Sequence, residues 1–319
     1  MIEDYEEFTS RGSTRESAEN HYFTDALRFS ARNWATEDAV KMTSDHLASF
    51  AKLMSYNVPS SALFDDEEQS RAYAESRPSY TEEVFHTVVE FCRESSPDLS
   101  LAVDVGCGPG MSTIGFATYF QKIIGVDISE TQIACAPRNI PNCEFKVGCA
   151  HNLQFITSGT VDLFCSGQSF HWLPQEETFA EADRVLKPGG TIAIFGYDLS
   201  TADVPEVQAC IQKIWMKLIP FYPRDCIQAL HNLHTRNLPY PDQTRTDELK
   251  LSRRCTVQQY VDFMKSTWPI RAHRLAHPGE DMLGDIASLL TEALEKSEAG
   301  NDFLVTWNFY IIMARKPRN

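Results

Sequence analysis

Val103-Asp104-Val105-Gly106-Cys107-Gly108-Pro109-Gly110 is the stretch on which the fold turns. It continues a short apolar run, Leu101–Val105, rich in β-forming residues, and precedes Met111–Phe120, whose pattern predicts a helix. Glycines at 106, 108 and 110 let the backbone turn tightly and approach a ligand with no Cβ in the way. The bland alternative is a tight strand-to-helix turn that binds nothing. Asp104, at the strand end, can accept hydrogen bonds or face a cation. The next predicted strand, Lys122–Val126, runs into Asp127, which lies 19 residues beyond Gly108. A carboxylate about 20 residues past such a turn suits the paired hydroxyls of a ribose. Asp127 or Ser129 equally suits the N-cap of the following helix, and the two roles are compatible.

The same rhythm extends outward from this pair. Glu82–Cys92 predicts a helix, with Val84, Phe85, Val88, Val89 and Phe91 at compatible spacing. Thr131–Ala136 starts a helix that Pro137 ends. Glu144–Val147 and Val161–Cys165 read as strands, Glu176–Leu186 as a helix, Lys187-Pro188-Gly189-Gly190 as a turn and Thr191–Tyr197 as a fifth strand. Strands alternating with helices imply an α/β fold, a parallel sheet covered on both faces, with ligands at its carboxyl edge. After Tyr197 the pattern changes. Pro205–Ile219, Thr256–Thr267 and Met282–Lys296 predict helices, prolines 220, 223, 239 and 241 mark an irregular stretch, and Trp307–Ala314 predicts a last strand. At the front, residues 1–20 have little to bury and read as disordered, while Thr36–Tyr56 reads as a helix stopped by Asn57-Val58-Pro59-Ser60.

Composition removes several classes of function. Of 319 residues, 44 are Asp or Glu and 29 Lys or Arg, a formal net charge of −15. Neutralising a phosphate backbone needs clustered cations, so a nucleic-acid partner is not expected. No apolar run approaches the length of about 20 needed to span a bilayer, and the acidic N-terminus has no apolar signal region. No membrane association and a cytoplasmic location are expected. The nine cysteines form no C-x-x-C pair and no zinc-type cluster with histidine, which fits reduced thiols and no metal site.

The run D-x-G-x-G-x-G at 104–110, the acidic end at Asp127 and Arg184-Val185-Leu186-Lys187-Pro188-Gly189-Gly190 together resemble class I S-adenosylmethionine-dependent methyltransferases. Arg71-Ala72-Tyr73-Ala74-Glu75-Ser76-Arg77-Pro78-Ser79-Tyr80 and Gln168-Ser169-Phe170-His171-Trp172 narrow the resemblance to a small-molecule branch that includes trans-aconitate methyltransferase-like proteins. It covers roughly Phe64 to Lys316. A dehydrogenase fits less well, because the loop lacks the G-x-x-G spacing of the dinucleotide fingerprint.

The resemblance implies a Rossmann-like, doubly wound sheet of seven strands, mostly parallel with the last strand antiparallel. Trp307–Ala314 would be that reversed strand and Asp247–Arg253 its neighbour. Residues 1–60 would be an N-terminal extension and 61–319 the methyltransferase domain, with 198–246 a helical insertion or lid over the active site. The implied cofactor is S-adenosylmethionine. Gly106, Gly108 and Gly110 would pass beneath it, and Asp104 would help orient its methionine end. Arg77 would meet its carboxylate or stand as a surface charge beside Pro78, and Tyr73 would close over the cofactor or merely pack its helix. Asp127 would hold the ribose hydroxyls, Ile128 would pack on adenine, and Ala150 and His151 would border the adenine edge. Gln168 would sit near the methyl group. Many relatives carry an acidic residue where this chain has Cys149 or His151, so a backbone N–H of Ala150 or His151 would replace that contact.

His171 would act as a base or hydrogen-bonding group, and Trp172, Tyr197 and Arg224 would contact the acceptor. For each a structural reading stands beside the functional one: Trp172 in the core, His171 bonded to backbone, Arg224 a solvated surface charge. The expected activity is methylation of a small molecule, with O-methylation of a carboxylic acid as its specific form. A carboxylate is already ionised at neutral pH and needs no general base, unlike an amine or phenol. The alternative is a methyltransferase-fold binding or regulatory protein without turnover. The oligomeric state is left open.

Overall fold

The computed structural model describes residues 66–222, 238–297 and 299–318. The N-terminal extension, its expected helix and Arg224 lie outside the described residues. The chain runs α1 (Glu67–Ser76), α2 (Glu82–Arg93), β1 (Leu101–Val105), α3 (Met111–Ala117), β2 (Lys122–Asp127), α4 (Glu130–Ala134), β3 (Cys143–Val147) and β4 (Val161–Gly167). It continues with α5 (Gln175–Val185), β5 (Leu186–Tyr197), β6 (Thr201–Ala202), α6 (Pro205–Leu218), β7 (Asp242–Thr246) and β8 (Lys250–Thr256). The last elements are α7 (Val257–Lys265), α8 (Trp268–Ala276), α9 (Met282–Ser297) and β9 (Asp302–Arg315).

The first five strands are parallel in the order β3-β2-β1-β4-β5, and β9 then adds antiparallel to β5. This is the expected mixed sheet. β4 and the second half of β5 are buried on both faces, as a sheet covered on two sides requires. On one side α2 presents Val84, Phe85, Val88 and Val89 to a core shared with Phe116 of α3 and Phe195 of β5. On the other, Ala182 and Val185 of α5 pack with Val103, Phe164 and Ile192. The register of β1 on β2 matters most for the site. Val105 pairs with Val126, so the chain leaves the sheet side by side at Gly106 and Asp127.

Three details differ from expectation. Lys187–Gly190 is not a free turn but lies inside β5. The register steps from Val161 opposite Leu186 to Leu163 opposite Thr191, so the four residues bulge, and Gly189 takes φ +81° at the bend. Lys187 is ion-paired there to buried Asp162. The reversed strand β9 has 14 residues, and the neighbour expected at Asp247–Arg253 is two strands end to end, β7 along Ile311–Arg315 and β8 along Asp302–Asn308. With the short β6, the sheet has nine strands among the described residues. Asp242–Thr246, assigned to the end of the insertion, is thus part of the sheet. Helix α8 was not expected; Pro269 sits in its first turn, where a missing N–H costs nothing.

The helices after β5 make a core of their own. Val207, Ile211 and Trp215 of α6, Tyr260 of α7, and Ile286 and Leu290 of α9 pack on Phe303, Val305 and Trp307 of β9. Helix α6 spends its apolar face on this core, and the residues just past it, Phe221 and Tyr222, pack with Trp172 and Trp268. All eight described cysteines are free thiols. Among the described residues no helix is long and apolar enough to cross a membrane.

Candidate active site

The glycine loop takes the backbone conformations that its sequence suggested. Gly106, Gly108 and Gly110 have φ of +63°, +54° and +89°, values that strain any residue with a Cβ. The loop is also tight from behind. A Cβ on Gly106 would lie 2.5 Å from Ser169 Oγ, and one on Gly110 2.5 Å from the Phe145 ring. Asp127 pins the loop from the neighbouring strand. Its Oδ2 accepts the Gly108 N–H at 2.8 Å and its Oδ1 accepts the Ser129 N–H at 2.9 Å. Ser129, not Asp127, caps α4, accepting the Gln132 N–H. Burial raises the Asp127 pKa, against these backbone hydrogen bonds.

Asp104 faces inward. It is fully buried, and its Oδ2 accepts the hydroxyls of Ser112 and Thr113, both at 2.6 Å. Burial lifts its carboxyl from 3.8 to about 6, against the pull of those two bonds. It fastens the start of α3 beneath the loop.

The segment around α1 brings a cation to the same edge. Arg77, just past α1, donates from Nη1 to Tyr197 Oη at 3.0 Å and from Nη2 to the Ser266 carbonyl at 3.5 Å. Its guanidinium lies 4.8 Å from the Tyr73 ring centroid and 5.3 Å from that of Phe263. Arg77 Nε is buried with no hydrogen-bond partner, and no carboxylate pairs with Arg77 among the described residues. A guanidinium whose buried Nε has no partner is costly unless an acceptor completes it. Tyr73 interacts electrostatically with Arg77, Tyr197 and Asp127, and burial pushes its phenol up to about 12, so it stays protonated.

Strand β4 ends at Gly167, and the next residue, Gln168, has φ +56° although it is not glycine. Its Nε2 donates to the Tyr197 carbonyl at 3.0 Å, tying the ends of β4 and β5 together. Phe170–Trp172 then forms a single 3-10 turn. His171 Nδ1 is buried without a partner among the described residues. Burial, with the charge of Arg77 adding to it, pushes the imidazole from 6.5 down to about 4. Trp172 packs toward Tyr222, ring centroids 6.3 Å apart.

The structure therefore gathers Tyr73, Arg77, the glycine loop, Asp127, Gln168, His171, Trp172 and Tyr197 at the carboxyl edge of β1, β2, β4 and β5. Ile128, beside Asp127, is 53% exposed and offers an apolar face. Ala150 is buried with the Leu153 side of the core, and His151 is exposed next to Glu181. Several participants escaped the sequence reading. Ser169 Oγ donates to the Val105 carbonyl and pairs with Ser166 Oγ, bracing the end of β1. Gln132 leaves a buried Oε1 without a partner above Gly108. Ser266 receives two side-chain donors of the α1 segment. Only their position in the fold reveals them; polar residues between elements carry no periodicity.

The glycine cradle, the carboxylate at the tip of β2 and the uncompensated buried cation are what a nucleoside carrying an amino-acid end requires. Comparison with known proteins agrees. Residues 103–194 match the family model described as a methyltransferase domain. A solved structure from Anaeromyxobacter dehalogenans, named "Putative Type II Methyltransferase", is 28% identical with a TM-score of 0.62, covering 76% of this chain and 99% of that one. The chain is an S-adenosylmethionine-dependent methyltransferase. The methyltransferase is 26% identical over 82% of its length to the "Putative methyltransferase" of Dictyostelium discoideum, all of which is covered. It is 32% identical to the trans-aconitate 2-methyltransferase of Escherichia coli over 30% of this chain and 39% of that protein. Its cofactor is S-adenosylmethionine, and the residues at the sheet edge fit that group.

Proposed function

We propose that this methyltransferase acts on a small molecule and transfers the methyl group to a carboxylate oxygen. The observation that carries this is His171. It feels the charge of Arg77, its Nδ1 has no partner among the described residues, and burial holds it neutral. A base whose conjugate acid has a pKa of about 4 is poorly matched to an ammonium or a phenol. A carboxylate arrives ionised, so it needs alignment and a dry wall, not deprotonation. Trp172, Tyr222, Tyr197 and Phe263 supply aromatic walls around Arg77. The name of the Escherichia coli relative specifies an aconitate as acceptor, which supports the same class.

When bound, the cofactor supplies an activated methyl on a sulfonium, and direct displacement needs no covalent enzyme intermediate. The chain's own residues do the rest. Gly106, Gly108 and Gly110 let the backbone run close beneath the cofactor. Asp127 offers its remaining lone pairs to the ribose hydroxyls while the Gly108 and Ser129 amides hold its orientation. Arg77 takes the methionine carboxylate at its unpaired Nε, with Tyr73 stacked on the guanidinium. Ile128 covers adenine, and a backbone N–H of Ala150 or His151 meets the adenine edge. Gln168, fixed to the Tyr197 carbonyl, borders the transferred methyl. His171 donates or accepts a hydrogen bond to the acceptor without titrating, and Trp172 and Tyr197 face it.

The linkage of the product separates the possibilities. Protein incubated with methyl-labelled S-adenosylmethionine and mixed carboxylic acids, amines and phenols should yield label that mild alkali releases as methanol, because a methyl ester hydrolyses. Label that survives alkali would place the methyl on nitrogen or a phenol ether and overturn the carboxylate reading. Label retained on macromolecules would overturn the small-molecule reading.

A further inference from the structure

Helix α1 carries Tyr73 and leads into Arg77, yet its most buried positions are not apolar. Its buried residues are Gln69 and Ser70, both polar. Each faces a different neighbour. Gln69 Nε2 donates to the Ser266 carbonyl at 3.0 Å, at the junction of α7 and α8. Ser70, fully buried, shares a hydrogen bond of 3.1 Å with Thr131 Oγ1 on α4. Thr131 Oγ1 is 2.9 Å from Ser129 Oγ, and the Ser129 N–H donates to Asp127 Oδ1. Surface ion pairs of Glu68 with Lys265 and of the N-cap Asp66 with Arg271 also join it to the described residues, and such pairs contribute little.

We propose that Ser70 is a positioning residue for cofactor binding. Through the chain Ser70–Thr131–Ser129–Asp127 it seats α1 on the element that holds the ribose carboxylate, and so places Arg77 at the methionine end. A buried hydroxyl must be hydrogen-bonded to be tolerated, so the chain fixes the register of α1 on α4 more narrowly than an apolar seam. The two ends of the cofactor are thereby set at a fixed separation by one run of hydroxyls. This rests on the reading that Arg77 meets the methionine carboxylate.

The test uses the full chain and two ligands, S-adenosylmethionine and adenosine, which shares the ribose and base but lacks the methionine end. Ser70→Ala should weaken S-adenosylmethionine about fivefold by calorimetry, the loss of roughly one hydrogen bond, and change adenosine binding less than about twofold. Gln69→Ala, on the opposite side of α1, should show the same selectivity, and Thr131→Ser, which keeps the hydroxyl, should bind as wild type does. A merely structural loss would weaken both ligands alike. Equal weakening of the two, or no weakening by Ser70→Ala, overturns the proposal. Arg77→Leu separates the two layers. If it leaves S-adenosylmethionine binding intact, the underlying reading fails; if it weakens binding while Ser70→Ala does not, only the positioning role falls.

Discussion

The Asp127 carboxylate accepts the Gly108 amide at 2.8 Å, joining the second strand's tip to the middle of the glycine loop. The parallel register that puts Val105 opposite Val126 makes this contact possible. One oxygen holds the loop and the other the turn into α4, and the three backbone amides that bond Asp127 leave part of its acceptor capacity open. The same side chain thus shapes the cradle and stays able to receive ribose hydroxyls. A carboxylate required for both should be among the least replaceable residues of the site.

Arg77 should matter for binding more than for chemistry. Replacing it with leucine removes a charged donor from a buried anion site, worth roughly 10- to 100-fold in S-adenosylmethionine affinity. Arg77→Lys should recover only part of that, since an ammonium cannot keep both the Tyr197 contact and the Nε position. Calorimetry on both variants checks this, with wild-type thermal stability as the control.

Asp104 and His171 give opposite slopes to the pH dependence of stability. Asp104 keeps its proton in the fold between 3.8 and about 6, where the unfolded chain has lost it, so its contribution falls as pH rises through that window. His171 stays neutral in the fold between about 4 and 6.5, where the unfolded chain is protonated, so its contribution rises with pH. Relative to wild type, Asp104→Asn should make the slope of stability against pH more positive from pH 4 to 6, by at most about 1.4 kcal/mol per pH unit. His171→Gln should make it more negative by a similar amount. Denaturant titrations at several pH values read both slopes.

His171→Gln should also lower turnover by less than about tenfold, against the roughly 100- to 10,000-fold expected for loss of a general base. The rate profile should show no histidine-type inflection between about pH 6 and 8. A steep loss with an inflection near neutrality would restore His171 as a base.

Gly110→Ala should destabilise by about 1–3 kcal/mol. Its φ is +89° and a Cβ there would strike the Phe145 ring at 2.5 Å. A fall in melting temperature checks it.

Residues 101–197 were legible because chemistry and periodicity agree there. Buried parallel strands must be apolar runs, glycines must stand where φ is positive, and an acidic tip must end β2. The bulge at Lys187–Gly190 was not legible, since Pro-Gly-Gly reads as a turn whether or not a strand resumes across it. The split of β9's neighbour into β7 and β8 was hidden because both are half-exposed and polar, with burial alternating weakly. Asp104 was legible as a hydrogen-bond acceptor at the strand end, but its partners, the Ser112 and Thr113 hydroxyls, are presented only by the packed helix. Tyr73, Arg77, His171 and Tyr197 were legible as types, but their meeting required three separate segments to fold over one edge.

Calorimetric titration of S-adenosylmethionine into the wild-type protein and into Asp127→Ala tests the central claim most directly. Binding to the wild type that weakens at least about tenfold in the variant is the predicted result. Wild-type affinity in a folded Asp127→Ala protein, or no binding to either at millimolar ligand, would contradict it.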